Sequence, residues 1–163
     1  MSVNALDLLL VQKDDTWELE EWIVPLSTAL HNLTIEQALW APPGGGNTIW
    51  QTVNHINFYN KLVLSRLKNT PPSVSAQTND ETFQVAADAA NVDAWNELLT
   101  ETKRIVLELR ETIAALSESD LEAPYRSSGP ETIGHALSRW ILHDAYHSGQ
   151  IVLIRKMQGS WRS

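Results

Sequence analysis

The residues of this sequence best suited to chemistry lie in the segment HDAYHSGQ, residues 143–150. His143 and His147 are four residues apart, so in a helix they lie one turn apart on the same face, and Gln150 lies in line with His143. That face also carries three apolar side chains, Trp140, Ile151 and Ile154. The apolar spacing predicts that the face enters a core. Because burying an unpaired polar group costs on the order of a few kcal/mol, the two imidazoles need partners.

A third imidazole, His55, stands in the helical pattern TIWQTVNHINFYNKLVLSRL, residues 48–67, on a face that it shares with Tyr59 and Leu62. Helix bundles build metal sites from side chains that converge from separate helices. A histidine on a facing helix is therefore what the pair on residues 143–150 needs to enclose an ion. Three neutral imidazoles suit Zn, Ni, Fe, Co or Cu, and they leave coordination positions for water or substrate.

Spacing and helix faces alone leave two interpretations of these histidines open. They bind one ion together, or each is a separate histidine bonded to backbone or hydroxyl groups. His31 and His135 are weaker candidates, because His135 precedes His143 by two turns and His31 can simply cap the first helix. Asp144 points about 100° away from His143 and cannot readily complete a ligand set with the pair. It either orients an imidazole or faces solvent.

Four long segments repeat apolar residues at three-to-four spacing and none alternates with period two, so the sequence predicts an all-α four-helix bundle. The predicted helices cover residues 3–31, where Pro25 either kinks the helix or begins a new one, then 48–68, 91–116, and 129–159 with Pro130 in the first position. Capping boxes begin at Thr34 and Thr48. The connections 32–47 and 69–90 are long enough for crossovers. The loop APPGGG, residues 41–46, lacks the GK[ST] of a phosphate-binding loop.

Composition narrows the function classes further. The 163 residues predict one domain, 1–163. A formal charge of −8 argues against nucleic acid as a partner. The absence of cysteine excludes disulfides, thiolate ligands and a cysteine nucleophile. With neither a signal-peptide pattern nor a membrane-length apolar run, we expect a cytoplasmic protein. The seven tryptophans either fill the core or line a partly polar cavity.

Three stretches carry a family resemblance: LTIEQALWAPPGGGNTIWQTVNHI (33–56), ETF (81–83) and HDAYHSGQIVLIRKMQGSW (143–161). The chain resembles the DinB-like (DinB/YfiT) superfamily of small four-helix bundles, especially its bacillithiol-transferase-like branch. The resemblance implies that His55, His143 and His147 are the three metal-binding histidines and that the ion is divalent, Zn or Ni. It also implies up-down-down-up connectivity and a homodimer.

Two kinds of chemistry follow from such a site. A bound ion lowers the pKa of water to about 7, which permits hydrolysis, or it holds a small-molecule thiol as thiolate, which permits S-transfer. The resemblance favours the thiol-dependent transferase with a small-molecule substrate; a metal-dependent hydrolase and a non-catalytic sensor or interaction module are the alternatives. No general acid or base is evident. The candidates by position are Asp144, Tyr146, Gln150 and His135.

Overall fold

Seven α-helices and one 3-10 helix make up the computed structural model, which describes residues 3–85, 91–127 and 129–162. The α-helices are α1 (Ala5–Trp17), α2 (Leu26–Leu30), α3 (Ile35–Leu39), α4 (Ile49–Leu67), α5 (Val92–Ala114), α6 (Glu118–Leu121) and α7 (Ile133–Met157), and the 3-10 helix spans Asp80–Phe83. No strand occurs within these described ranges, where the one β-type pairing is an isolated bridge between Pro124 and Thr132. The predicted all-α class is confirmed.

The helix starts follow the capping signals in the sequence. Thr34 and Thr48 each accept a hydrogen bond from the backbone N–H three residues on, and the glutamine side chain there bonds back to the cap, so both predicted capping boxes are present. Asn91 caps α5 in the same way through its side chain. Gly159 has the left-handed φ of 70° expected just after α7. The long helices 48–68 and 91–116 are thus close to their predicted bounds.

The structure decides between the alternatives at Pro25 and moves two other boundaries. A new helix, α2, begins at Leu26 directly after Pro25, as one of the alternatives predicts, but α1 already ends at Trp17, so residues 3–31 do not form one continuous helix. The chain between them is non-helical, which leaves the Val24 carbonyl free to accept a hydrogen bond of 2.7 Å from Ser148 on α7. The fourth helix begins at Ile133 rather than at Pro130, because the Thr132 hydroxyl caps it while Thr132 also pairs with Pro124.

The long connection 69–90 contains the 3-10 helix, which the sequence pattern did not predict; its residues 86–90 lie outside the described ranges. The 3-10 helix packs against α4, and α4 packs against both α5 and α7. Helix α1 lies against α7 and α5. This packing places the middle of α7 between α1 on one side and α4 on the other. The up-down-down-up order of the helices stays a prediction.

Two groups of buried apolar side chains hold these helices together. One centres on Ile49, Val53, Ile56, Trp95 and Ile151, and the other on Ile105, Leu109, Ile113, Leu137 and Ile141. Trp50, Trp95 and Trp140 fill core positions, whereas Trp22 is 98% exposed. The buried Trp95 and Trp140 rings donate their N–H groups to the Leu33 carbonyl and to the Asn60 side chain. None of the helices in the described ranges is long and apolar enough to span a bilayer.

Candidate metal centre

The structure brings His55 from α4 and the pair His143 and His147 from α7 together at the contact between these two helices. The Nε2 atom of His143 lies 3.0 Å from Nε2 of His55 and 3.1 Å from Nε2 of His147. His55 and His147 are 3% and 6% exposed, and the side chain of His143 is 28% exposed. Three ring nitrogens from distant parts of the sequence therefore point to one place, and one of the rings reaches solvent.

The hydroxyl of Thr82, in the 3-10 helix, fixes the orientation and tautomer of His55. Thr82 Oγ1 donates its one hydrogen to the carbonyl of Asn79 at 2.6 Å. The same oxygen lies 2.6 Å from His55 Nδ1, so it must accept a hydrogen bond from Nδ1–H. His55 consequently carries its proton on Nδ1, and the lone pair of Nε2 is free to face the centre.

The side chain of Gln150 likewise fixes the orientation and tautomer of His147. The amide oxygen Oε1 accepts from His147 Nδ1 at 2.7 Å, while the amide nitrogen of the same side chain donates to the hydroxyl of Tyr146 at 3.0 Å. Because an amide oxygen only accepts, His147 also carries its proton on Nδ1. Its Nε2 lone pair joins that of His55.

The three ring nitrogens that face one another carry too few protons to hydrogen-bond to each other, which favours a cation between them. His143 Nε2 faces two lone pairs and can offer at most one proton, so at least one of the two close N···N contacts has no hydrogen between its atoms. Two imidazole nitrogens that bind one ion at about 2.0–2.1 Å lie roughly 2.9–3.4 Å apart when the N–ion–N angle is between a right angle and the tetrahedral angle. The observed 3.0 and 3.1 Å lie within that range, so the three side chains fit a divalent ion.

The environment keeps the two buried rings uncharged. Burial, followed by the charges that His147 and His143 carry when protonated, lowers the pKa of His55 to about 3. Burial and then His143 also lower the pKa of His147. Both imidazoles are therefore neutral near pH 7, which is the form that binds metals.

Aromatic rings surround the histidines. Phe83 stacks on His55 with ring centroids 3.9 Å apart and planes at 11°. Tyr59 meets His143 edge-on at 5.2 Å, and Tyr146 meets His147 edge-on at 5.1 Å. An aromatic ring therefore packs against each of the three imidazoles.

The remaining sequence candidates lie elsewhere or have different surroundings. His31 and His135 are exposed and belong to no group of potential ligands in the part of the chain that the structure describes. Asp144 does not face solvent: it is 1% exposed and bonds to Lys13 of α1. Trp50 packs against Trp95 in the core with ring centroids 5.3 Å apart. Sequence reasoning gave no role to Thr82, although it lies within the quoted ETF motif, and none to Lys13.

Comparison with known proteins gave one match. The family model described as DinB superfamily matches residues 20–151, most of the 163-residue chain, and this range contains His55, His143 and His147. Neither the curated proteins nor the solved structures compared with the chain gave a match.

Proposed function

Because the chain belongs to the DinB superfamily, we propose that His55, His143 and His147 bind one divalent metal ion and that the protein is a metal-dependent enzyme. The observation that carries this proposal is the convergence of three Nε2 atoms whose protons are too few for their contacts. Zn and Ni suit an all-imidazole ligand set. Such an ion, when bound, supplies a nucleophile at neutral pH by lowering the pKa of a thiol or of water.

We favour thiol-dependent S-transfer over hydrolysis. This preference rests on the resemblance to the bacillithiol-transferase-like branch. Because the chain has no cysteine, the sulfur of such a transfer comes from a small-molecule thiol. Thr82 and Gln150 hold the two buried imidazoles by their Nδ1 atoms, and Phe83 covers one face of His55. These residues keep the centre preorganised and largely dry, which strengthens electrostatic interactions there. His143 is the partly exposed ring of the three, so the centre reaches solvent there.

A cavity of about 540 Å³ lies on the 3-10 helix side of the bundle, and Tyr59 and Thr82 form part of its wall. Both residues contact His55. The other wall residues are uncharged as well: Phe58, Leu62, Pro72, Val74, Ser75, Ala76, Gln77, Thr78 and Asn79. We propose that this cavity receives the electrophilic substrate, and its lack of charged side chains favours an uncharged one.

The test begins with elemental analysis of protein purified without a histidine tag. We expect one equivalent of Zn or Ni. The protein is then assayed with cysteine and a nitro-substituted aryl chloride, where an S–C bond forms, the C–Cl bond breaks, chloride leaves with the electron pair and the thiol proton goes to buffer. Conversion that needs the protein and stops with chelator supports the transferase. Hydrolysis of p-nitrophenyl acetate without thiol would replace it with the hydrolase, metal without turnover would favour a sensor, and protein that binds no metal would refute the proposal.

The Thr82→Val substitution tests the preorganisation of His55. Valine keeps the shape of the buried side chain but removes the acceptor for Nδ1–H, so we expect metal affinity to fall about tenfold or more. Titration against a competing chelator measures the change. Thr78→Val, on the exposed chain of the same connection, is the matched control and should bind as tightly as the wild type. Equal affinity of the two variants would show that Thr82 does not orient His55.

A further inference from the structure

Lys13 and Asp144 form an ion pair inside the bundle, beside the histidines. Lys13 Nζ lies 3.1 Å from Asp144 Oδ2, and each side chain is 2% exposed. The Lys13 ammonium also lies 4.6 Å from the centre of the Trp140 ring, whose N–H donates to Asn60 of α4 at 2.7 Å. Lys13 of α1 thus binds the carboxylate, and its ammonium lies over a Trp140 ring that Asn60 of α4 holds in turn. A buried ion pair often adds little net stability, so stability alone does not explain why this pair is present.

The second oxygen of the same carboxylate, Oδ1, lies close to His143. Asp144 Oδ1 is buried and has no hydrogen-bond partner among the described residues, and the same is true of His143 Nδ1. These two unpartnered atoms face each other at 3.7 Å. A movement of less than about 1 Å brings them to hydrogen-bond distance. The ring of His143 is the partly exposed one of the three, so it is less confined by the core than the rings of His55 and His147.

The other two histidines show what the missing contact would be. His55 and His147 each donate Nδ1–H to a fixed acceptor, Thr82 and Gln150, and so direct an unprotonated Nε2 to the centre. His143 lacks such an acceptor at hydrogen-bond distance, although Asp144 Oδ1 stands in the corresponding place. We infer that Asp144 is the positioning residue for His143 as a metal ligand, and that Lys13 directs the carboxylate by binding its other oxygen. This inference rests on the proposed function.

The charges explain why the pair suits this task. A cation on Nε2 draws electron density from the imidazole, so Nδ1–H becomes a stronger donor and an ionised acceptor forms the stronger bond. An isolated carboxylate so close to a cation could become a ligand itself. With Oδ2 bound to Lys13, one oxygen is left, and it faces His143. Helix α1 thereby takes part in a centre to which it gives no ligand.

The test measures metal affinity in Asp144→Asn. Lys13 donates to the amide oxygen and turns the NH2 group towards His143 Nδ1, which favours the imidazole tautomer with the proton on Nε2. We expect zinc affinity to fall by about 10- to 100-fold, the visible spectrum of the Co²⁺-loaded protein to change, and the Nδ1–H signal of His143 to disappear from the NMR spectrum. Adding Lys13→Met frees the amide to turn its oxygen to His143, so the double variant should recover part of the affinity.

The ion pair of Arg110 with Asp14 provides the matched control. It also joins α1 to a neighbouring helix, with bonds of 2.8 and 2.9 Å, but it involves none of the histidines. Arg110→Met and Asp14→Asn should leave zinc affinity within about twofold of the wild type. If Asp144→Asn fails to fold, two double variants are compared: Lys13→Met with Asp144→Asn, and Lys13→Met with Asp144→Leu. The first should bind zinc more tightly, because asparagine offers His143 an acceptor and leucine does not.

The outcomes separate this inference from the proposed function. If His143→Ala loses the metal while Asp144→Asn binds zinc as tightly as the wild type, the inference is wrong and the metal site stands. Equal losses in Asp144→Asn and in the control variants would also overturn it, because they would reflect a general loosening of α1. If His143→Ala keeps its metal, the proposed function itself fails.

Discussion

Replacing His143 with alanine is expected to abolish metal retention and leave the helical fold intact. Structural zinc sites bind with about 10–16 kcal/mol over four ligands, so one ligand is worth roughly 3 kcal/mol and its loss weakens binding by a factor on the order of 100 to 1,000. His143 supplies the nitrogen that lies between those of His55 and His147. Its side chain is 28% exposed, so alanine leaves little cavity in the core.

His135→Ala is the matched control for this substitution. His135 lies on the same helix, two turns before His143, and is exposed and outside the histidine cluster. Elemental analysis after gel filtration should find one equivalent of metal in the control and almost none in His143→Ala, with equal circular dichroism. One equivalent of metal in the His143 variant would remove this residue from the ligand set.

The helical elements were predictable where the signal is local. The Thr34 and Thr48 capping boxes need only contacts three residues apart, and both are present. The break between Trp17 and Leu26 is accompanied by a contact that the periodicity does not reveal, since the Val24 carbonyl accepts a hydrogen bond from Ser148, more than a hundred residues away. The start of α7 depends likewise on pairing of Thr132 with Pro124 outside the helix. The apolar periodicity of a segment does not predict helix boundaries that are set by tertiary contacts.

The same distinction applies to the candidate centre. The i, i+4 spacing of His143 and His147 places both on one face of a helix and makes a shared site with His55 possible. Helix geometry alone left separate histidines equally possible, and the family resemblance is what implied that the three bind one ion. The residues that bind these side chains were not predicted. Thr82 lies in a connection that has no periodic pattern. Lys13 is a charged residue, a type usually found on the surface, and only its contact with Asp144 shows that it is buried.

Removal of the metal is expected to lower the melting temperature of the wild type markedly. An ion that binds only the folded chain adds about 4 kcal/mol to the free energy of unfolding when its free concentration is a thousand times the dissociation constant. For a chain of 163 residues, each kcal/mol shifts the melting temperature by about 2–4 °C. Thermal scans with added zinc and with chelator should therefore differ by roughly 8–16 °C.

His143→Ala makes this comparison specific, because the same zinc concentration is only about one to ten times the dissociation constant of the variant, so its melting temperature should rise by roughly 1–6 °C at most. Most of the free energy that joins α4 to α7 through the ion would then be absent in both conditions. A wild type that melts at one temperature regardless of zinc would identify a purely structural bundle, in which the three imidazoles lie together without an ion. A shift of equal size in both proteins would place the bound zinc elsewhere on the chain, since the variant lacks the nitrogen that both other rings face.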